Sequence, residues 1–372
     1  MGFGINHTFQ VWNNKKEGVQ SIYYTARENM RKNTLFLIAV LGIVILALGI
    51  GSAFAVDKKY SVYLFEVGFD NPYFIGHIHG AQAAAEKYPN LDLVILDGRN
   101  DPATQATQVI QVIAKGVDGI LLNPITSDAL VPASKEAKAA NIPVFCTDRD
   151  ISDPAYRIAA VGSDQKLIGR VASEYALKFL EQSGLPKPWK VVVLEGLAGA
   201  LANTERTAGW YEPLQPLIDK GEVTIVADVP ADWAREPAVR KMNEILVKTK
   251  DIHLVLASND EIAAGAIVSL EAAGLVPNKD VYLIGVDASP VGLQLIKDGK
   301  LLATVAHQAY LQGYWAVEMM MKYLEKKIEP PKDKWPNNYI ITQNFMVDKN
   351  NVADVGPFGE PVKAGPVAEL PY

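Results

Sequence analysis

The chain has 372 residues, 49% of them hydrophobic and 21% charged, with a formal net charge of −6. The apolar fraction excludes a disordered chain, the interrupted hydrophobic pattern excludes a polytopic membrane protein, and the acidic balance argues against nucleic acid as the main partner. A single cysteine, Cys146, excludes an internal disulfide framework, a four-cysteine zinc site and a redox CxxC, and the length suggests about two globular units.

Residues 1–29 show neither a helical stripe nor strand alternation and read as an over-long start, with Met30 as the initiator. Arg31 and Lys32 then precede an apolar run, Leu35 to Ile50, which leads into Gly51-Ser-Ala-Phe-Ala55. A basic start, an apolar middle and Ala53-x-Ala55 are the three parts of a secretory signal, so 30–55 is expected to be removed by cleavage after Ala55. The competing reading is an uncleaved anchor, because the run approaches the ~20 residues that span a bilayer. No cysteine stands at the cleavage point, which argues against a lipid anchor. Of the 36 Lys/Arg and 42 Asp/Glu, five and two precede Val56, leaving an exported, acidic chain of net charge −9. In an oxidising compartment the lone Cys146 is expected to be buried in a strand.

From there strand and helix alternate. Val62–Phe65 reads as a strand and 73–87 as a helix, then strand 93–96, helix 102–114, strand 119–122, helix 128–140 and strand 143–145. A second series follows Val161: helix 167–180, strand 191–194, helix 205–218, strand 223–226, helix 237–247, strand 254–256, helix 261–273 and strand 281–284. Helix 290–297, strand 302–305, helix 310–326 and a last strand, 339–345, precede a Pro/Gly-rich tail over 351–372. Short apolar runs alternating with longer helical patterns predict parallel βαβ units, packed as two doubly wound α/β lobes.

In such sheets ligands bind beyond the carboxyl ends of the strands. Polar and aromatic residues fall there repeatedly: Asp70-Asn71-Pro72-Tyr73-Phe74, Asp148-Arg149-Asp150, the Gly196–Gly199 loop with Asn203, Glu205 and Arg206, Asp232-Trp233, Asn259-Asp260, Asp287, and His307-Gln308. One such Asp or Asn is more often a helix cap than a ligand contact, and Asp260 and Glu205 are expected to do capping or first-turn work. Seven matched strand ends are harder to attribute to caps. Carboxylates, amides and arginines gathered in one cleft suit a polyhydroxylated ligand, since each hydroxyl both donates and accepts and aromatic rings cover the C–H faces of a sugar.

At these residues the sequence resembles the type I periplasmic sugar-binding proteins, nearest the ribose-binding group, over 60–346. The strings that carry the likeness are Asn71-Pro-Tyr-Phe74, Leu122-Asn-Pro124, Thr147-Asp-Arg149, Glu205-Arg206, Pro230-Ala-Asp-Trp233, Ser258-Asn-Asp-Glu261 and Gly285-Val-Asp287. The resemblance implies sugar contacts at Asn71, Tyr73, Phe74, Asp148, Arg149, Arg206, Trp233, Asn259 and Asp287. His307 stands where the family commonly has Gln, and Tyr73 and Trp233 where ribose binders usually carry Phe, which favours a larger ring such as a hexose or cyclic polyol. It also implies two lobes, 56–162 plus 308–336 and 163–307 plus 337–350, joined by three crossings near 162–163, 307–308 and 336–337. The implied role is a monomeric periplasmic protein that delivers a monosaccharide or polyol to an ABC transporter permease. A sugar-sensing module for a chemotaxis or kinase receptor is the alternative.

Other classes fit less well. A repressor with this core would carry a helix-turn-helix where the signal segment lies. Asp148 beside Arg149 favours the ionised carboxylate, the reverse of a glycosidase acid, and no G-x-G-x-x-G is present, so neither an enzyme nor a cofactor is expected. His77 and His79 at i, i+2 on a helix point about 200° apart and cannot share one metal ion.

Overall fold

The computed structural model describes residues 27, 28, 30–34, 58–362 and 367–372. The apolar run 35–50 and the expected cleavage point after Ala55 lie outside these residues. Lys59–Tyr372 forms one compact unit, built from two six-stranded sheets.

The first sheet contains β1 (Tyr60–Glu66), β2 (Leu91–Asp97), β3 (Gly119–Leu122), β4 (Val144–Asp148), β5 (Ala159–Gly162) and β11 (Tyr339–Ile341), in the order β11-β5-β4-β3-β1-β2. The second contains β6 (Trp189–Glu195), β7 (Val223–Pro230), β8 (Leu254–Ala257), β9 (Tyr282–Val286), β10 (Ala303–Ala306) and β12 (Phe345–Asp348), in the order β12-β10-β9-β8-β6-β7. Every pairing is parallel except β10 with β12. Parallel sheets are covered on both faces, so their inner strands are continuous apolar runs: Val191–Leu194 and Ile120–Leu122 are all fully buried. Cys146, fully buried on β4, belongs to the same pattern.

Helices α1 (Pro72–Ala85), α2 (Pro102–Lys115), α3 (Val131–Ala139) and α9 (Ala309–Lys326) serve the first lobe. The second carries α4 (Gln165–Ser183), α5 (Leu201–Asp219), α6 (Arg235–Lys248), α7 (Asp260–Ala272) and α8 (Pro290–Lys297). Local chemistry sets many starts: the side chains of Asn71, Asp101, Asp164, Asn259 and Ser289 each accept a first-turn backbone N–H, and proline follows three of them directly. Each lobe also has helices in near backbone contact. A Cβ at Gly80 would lie 1.9 Å from the Tyr310 carbonyl, and one at Gly169 2.0 Å from that of Arg206, so only glycine lets α1 meet α9 and α4 meet α5.

The chain passes between lobes after β5, after β10 and between β11 and β12. The last passage differs from the expected 336–337 and the single expected strand 339–345. Tyr339–Ile341 pairs with Ala160–Gly162 in the first lobe and buries Ile340 there, while Phe345–Asp348 pairs with β10 in the second. Thr342-Gln343-Asn344, a polar break in the apolar run, carries the crossing. Residues 337–341 therefore belong to the first lobe. The segment read as a tail is also packed, with Val352 in the second core and Phe358 and Leu370 in the first.

Candidate functional site

One cavity of about 870 Å³ lies at the carboxyl ends of the strands, and the nine sugar contacts implied by the resemblance line it together with His307. Asn71, Tyr73, Phe74, Asp148 and Arg149 come from the first lobe, and Arg206, Trp233, Asn259 and Asp287 from the second. His307 sits at the second passage.

On the first-lobe side, Asn71 Oδ1 accepts the Tyr73 N–H at 2.9 Å, which starts α1 and turns both rings of Tyr73-Phe74 into the buried wall. The Tyr73 hydroxyl lies 3.0 Å from Asp148 Oδ1 and 2.8 Å from His307 Nε2, and burial followed by the Asp148 charge pushes its pKa well up. Asp148 closes β4 in the left-handed region at φ 59°, an uncommon backbone for a non-glycine residue that aspartate tolerates better than most. Arg149 stands with its Nε 3.8 Å from Asp148 Oδ2, donates through Nη1 to the Ile125 carbonyl at 3.2 Å, and places its guanidinium 5.5 Å from the Phe74 ring centre.

In the second lobe Arg206 is 3% exposed on α5. It donates through Nη1 to the Ser258 carbonyl and through Nη2 to Gln165 Oε1, while its buried Nε has no partner. Burial lowers its pKa and the nearby Asp287 charge opposes that shift. Trp233, at φ 52°, donates from Nε1 to Ser258 Oγ at 3.0 Å. Its indole lies over Gly196, where a Cβ would come within 2.2 Å of the ring. Asn259 both caps α7 and holds the Trp233 carbonyl at 3.1 Å, so the capping and pocket-lining readings apply to the same residue.

Asp287 and His307 form the floor. Burial raises the Asp287 carboxyl far above the usual range, with Arg206 opposing and Asp148 adding. Burial and then the Arg206 charge push His307 down to about 3, so its ring is neutral. Its Nδ1 stands 3.4 Å from Asp287 Oδ1 and its Nε2 3.4 Å from Gln165 Nε2.

Some strand-end residues do other work. Asp70 binds Asn100, and neither it nor Asp232 reaches the cavity; Asn203 holds Gly196 N–H, and Gln308 binds the Gln343 carbonyl. Glu205 is a second-turn residue of α5 that lines the cavity, because the helix begins at Leu201, a turn earlier than expected. Asp260 opens α7 but is wholly buried, accepting from Ser289 N–H, Ser289 Oγ and Thr304 Oγ1 to tie α7 to α8 and β10. Gln165 was not anticipated. It follows β5, a short Ala-rich strand whose carboxyl end carries the one strand-end signal that would have found it. The two histidines of α1 diverge: His77 is fully buried between Glu66 Oε2 (2.7 Å) and Thr147 Oγ1 (2.6 Å), and His79 is exposed.

Residues 63–328 match a family described as periplasmic binding protein domain. The ribose import binding protein of Escherichia coli K12 is 34% identical over 278 residues, 75% of this chain and 88% of that protein. That of Bacillus subtilis 168 is 32% identical over 279 residues, 74% and 86% of the two chains. Among solved structures, an ABC transporter solute-binding protein from Bacillus halodurans C-125 with bound myo-inositol superposes with a TM-score of 0.69 at 26% identity, covering 80% of this chain and 97% of the other. A galactofuranose-binding protein gives 0.70 at 26% identity, covering 79% and 96%. Two parallel-sheet lobes around a polar cleft, with these matches along nearly the whole of both, make the chain a member of the type I periplasmic binding proteins, related to the ribose import binding proteins.

Proposed function

We propose that the protein captures a monosaccharide or cyclic polyol between its lobes and delivers it to the permease of an ABC importer, without a chemical step. The convergence of the nine implied sugar contacts and His307 on one interlobe cavity carries this reading. Asp148 and Asp287 supply acceptors, Arg149 and Arg206 supply planar donors, and Tyr73, Phe74 and Trp233 supply rings. Hydrogen bonds between charged groups such as the two guanidinium groups and sugar hydroxyls contribute roughly 1.5–3 kcal/mol each, and with the remaining polar contacts they sustain binding after ordering costs. Contacts to both lobes favour the closed arrangement, which gives the permease a form to recognise.

The relatives' names include import of ribose and a bound myo-inositol, which supports delivery to a transporter over a purely sensory role. A periplasmic monomer released by cleavage after Ala55 accords with this. Calorimetry of ligand-stripped, folded protein against a panel of pentoses, hexoses and cyclic polyols tests the proposal. Heat from at least one is expected, and silence from all of them refutes it.

A further inference from the structure

The polypeptide continues beyond β12 and returns to the first lobe. Phe358 is 5% exposed and touches both halves. Its amide donates to the Ala288 carbonyl at 3.0 Å, between β9 and α8 in the second lobe. Its ring lies edge-on to Tyr73, centroids 6.0 Å apart at 89°, and fills the gap over Gly76 on α1. A Cβ on Gly76 would be 2.6 Å from the Phe358 ring, so the fit is close. Phe358 adopts φ 55° and Gly359 φ 83°, a reversal that sets Gly359 against Gln308 at the second passage. Farther on, Trp315 Nε1 donates to the Ala368 carbonyl at 2.8 Å and Lys334 Nζ to that of Pro371 at 2.9 Å, fastening the chain end to the first lobe.

We propose that the C-terminal segment is a fourth interlobe connection, in which Phe358 is a positioning residue that braces Tyr73 and limits rotation of one lobe against the other. The three chain passages absorb rotation in their backbone angles. The Phe358 contact does not: moving Ala288 relative to Gly76 and Tyr73 breaks the hydrogen bond or unseats the ring. The brace therefore narrows the range of interlobe separations in the protein without ligand. This rests on the two-lobed fold alone and holds whatever the cleft binds.

The test is pulsed dipolar spectroscopy on ligand-free protein, with spin labels at Lys135→Cys on α3 and Val247→Cys on α6. Both sites are exposed, and the buried Cys146 is shielded from label. Phe358→Ala and Gly76→Ala are each expected to broaden the interlobe distance distribution, and Phe358→Leu to return it close to the parental width. Gly76→Ala raises helix propensity, so broadening there cannot be ascribed to a weakened α1. Distributions of parental width in Phe358→Ala and Gly76→Ala, both melting cooperatively, overturn the proposal. If Phe358→Ala fails to fold, Gly76→Ala decides by the same criterion.

Discussion

The hydroxyl of Tyr73 gives the sharpest test of how the cleft is wired. Arg206 carries only donors, so the Gln165 amide must present Oε1 to it, which turns Gln165 Nε2 toward His307 Nε2 at 3.4 Å. An amide nitrogen also only donates. His307 Nε2 is therefore the bare nitrogen and its proton sits on Nδ1, facing Asp287 Oδ1 at 3.4 Å. The Tyr73 hydroxyl then has acceptors at 2.8 Å (His307), 3.0 Å (Asp148) and 3.4 Å (Gln312 Oε1), and one proton to give. Tyr73→Phe removes one donated bond in a buried setting but also relieves the contact between the phenol oxygen and whichever acceptor goes unserved. A buried hydrogen bond contributes about 1 kcal/mol net and more to a charged partner, so a loss of about 1–2 kcal/mol in unfolding free energy is expected. Urea unfolding followed by tryptophan fluorescence reads it as a lower midpoint at unchanged slope. Tyr73→Phe combined with His307→Gln should be non-additive by about 0.5 kcal/mol or more, as for residues in direct contact. An unchanged midpoint, or strict additivity, refutes this proton arrangement.

Arg149→Ala and Asp287→Ala should each weaken ligand binding by about 2 kcal/mol or more, read by calorimetry with a sugar that binds the parent. Gly196→Ala forces the Trp233 indole from its seat, since the new Cβ would lie 2.2 Å from the ring; about tenfold weaker affinity, or ~1.4 kcal/mol, is expected, and parental affinity would show that the ring is not a clamp. The pH dependence of His307 has a definite sign. Its folded pKa of about 3 lies below the 6.5 of the free group, so the unfolded chain binds the extra proton between these values and stability falls as pH drops through that window. Between pH 6.5 and 5 the group accounts for roughly 1.6 kcal/mol. His307→Gln should therefore gain on the parent by that amount over the same interval in paired denaturation curves, and a pH-independent difference refutes it.

Much of this architecture is legible in the sequence because parallel sheets write themselves as short apolar runs. Val191–Leu194 and Gly119–Leu122 cannot be much else between helical patterns. The residues after such runs are readable for the same reason: a polar group at a strand's carboxyl end has only the cleft or a helix cap to serve, and Asn259 serves both. What stays hidden depends on partners distant in the chain. Near Tyr339 the polar break Thr342-Gln343-Asn344 divides the apolar run, but only pairing with Ala160 and with Ala306 assigns Tyr339–Ile341 to one sheet and Phe345 to another. Gln165 follows the carboxyl end of the short strand β5, and beyond that one local sign its meaning lies in Arg206 and His307, 41 and 142 positions away. Glu66 and His77 likewise appear unremarkable until the fold buries them together.

The two buried histidines show how the fold separates structure from function. His77 sits wholly inside the first lobe with a carboxylate 2.7 Å from one ring nitrogen and a hydroxyl 2.6 Å from the other, and the Glu66 charge raises its pKa against the effect of burial. Every ring nitrogen there is satisfied, and the group anchors Thr147, the residue before Asp148. His307 is as deeply buried but beside Arg206, and its pKa moves the opposite way. Its Nδ1 and the Arg206 Nε are both buried without a full hydrogen-bond partner, and both lie on cavity-lining residues. An unpaired buried donor costs about 1–3 kcal/mol. Such a cost is also borne away from the cleft, by Trp210 Nε1 in the second-lobe core and by Asn123 Oδ1 beside Glu66, and His77 is spared it because Glu66 and Thr147 flank its ring.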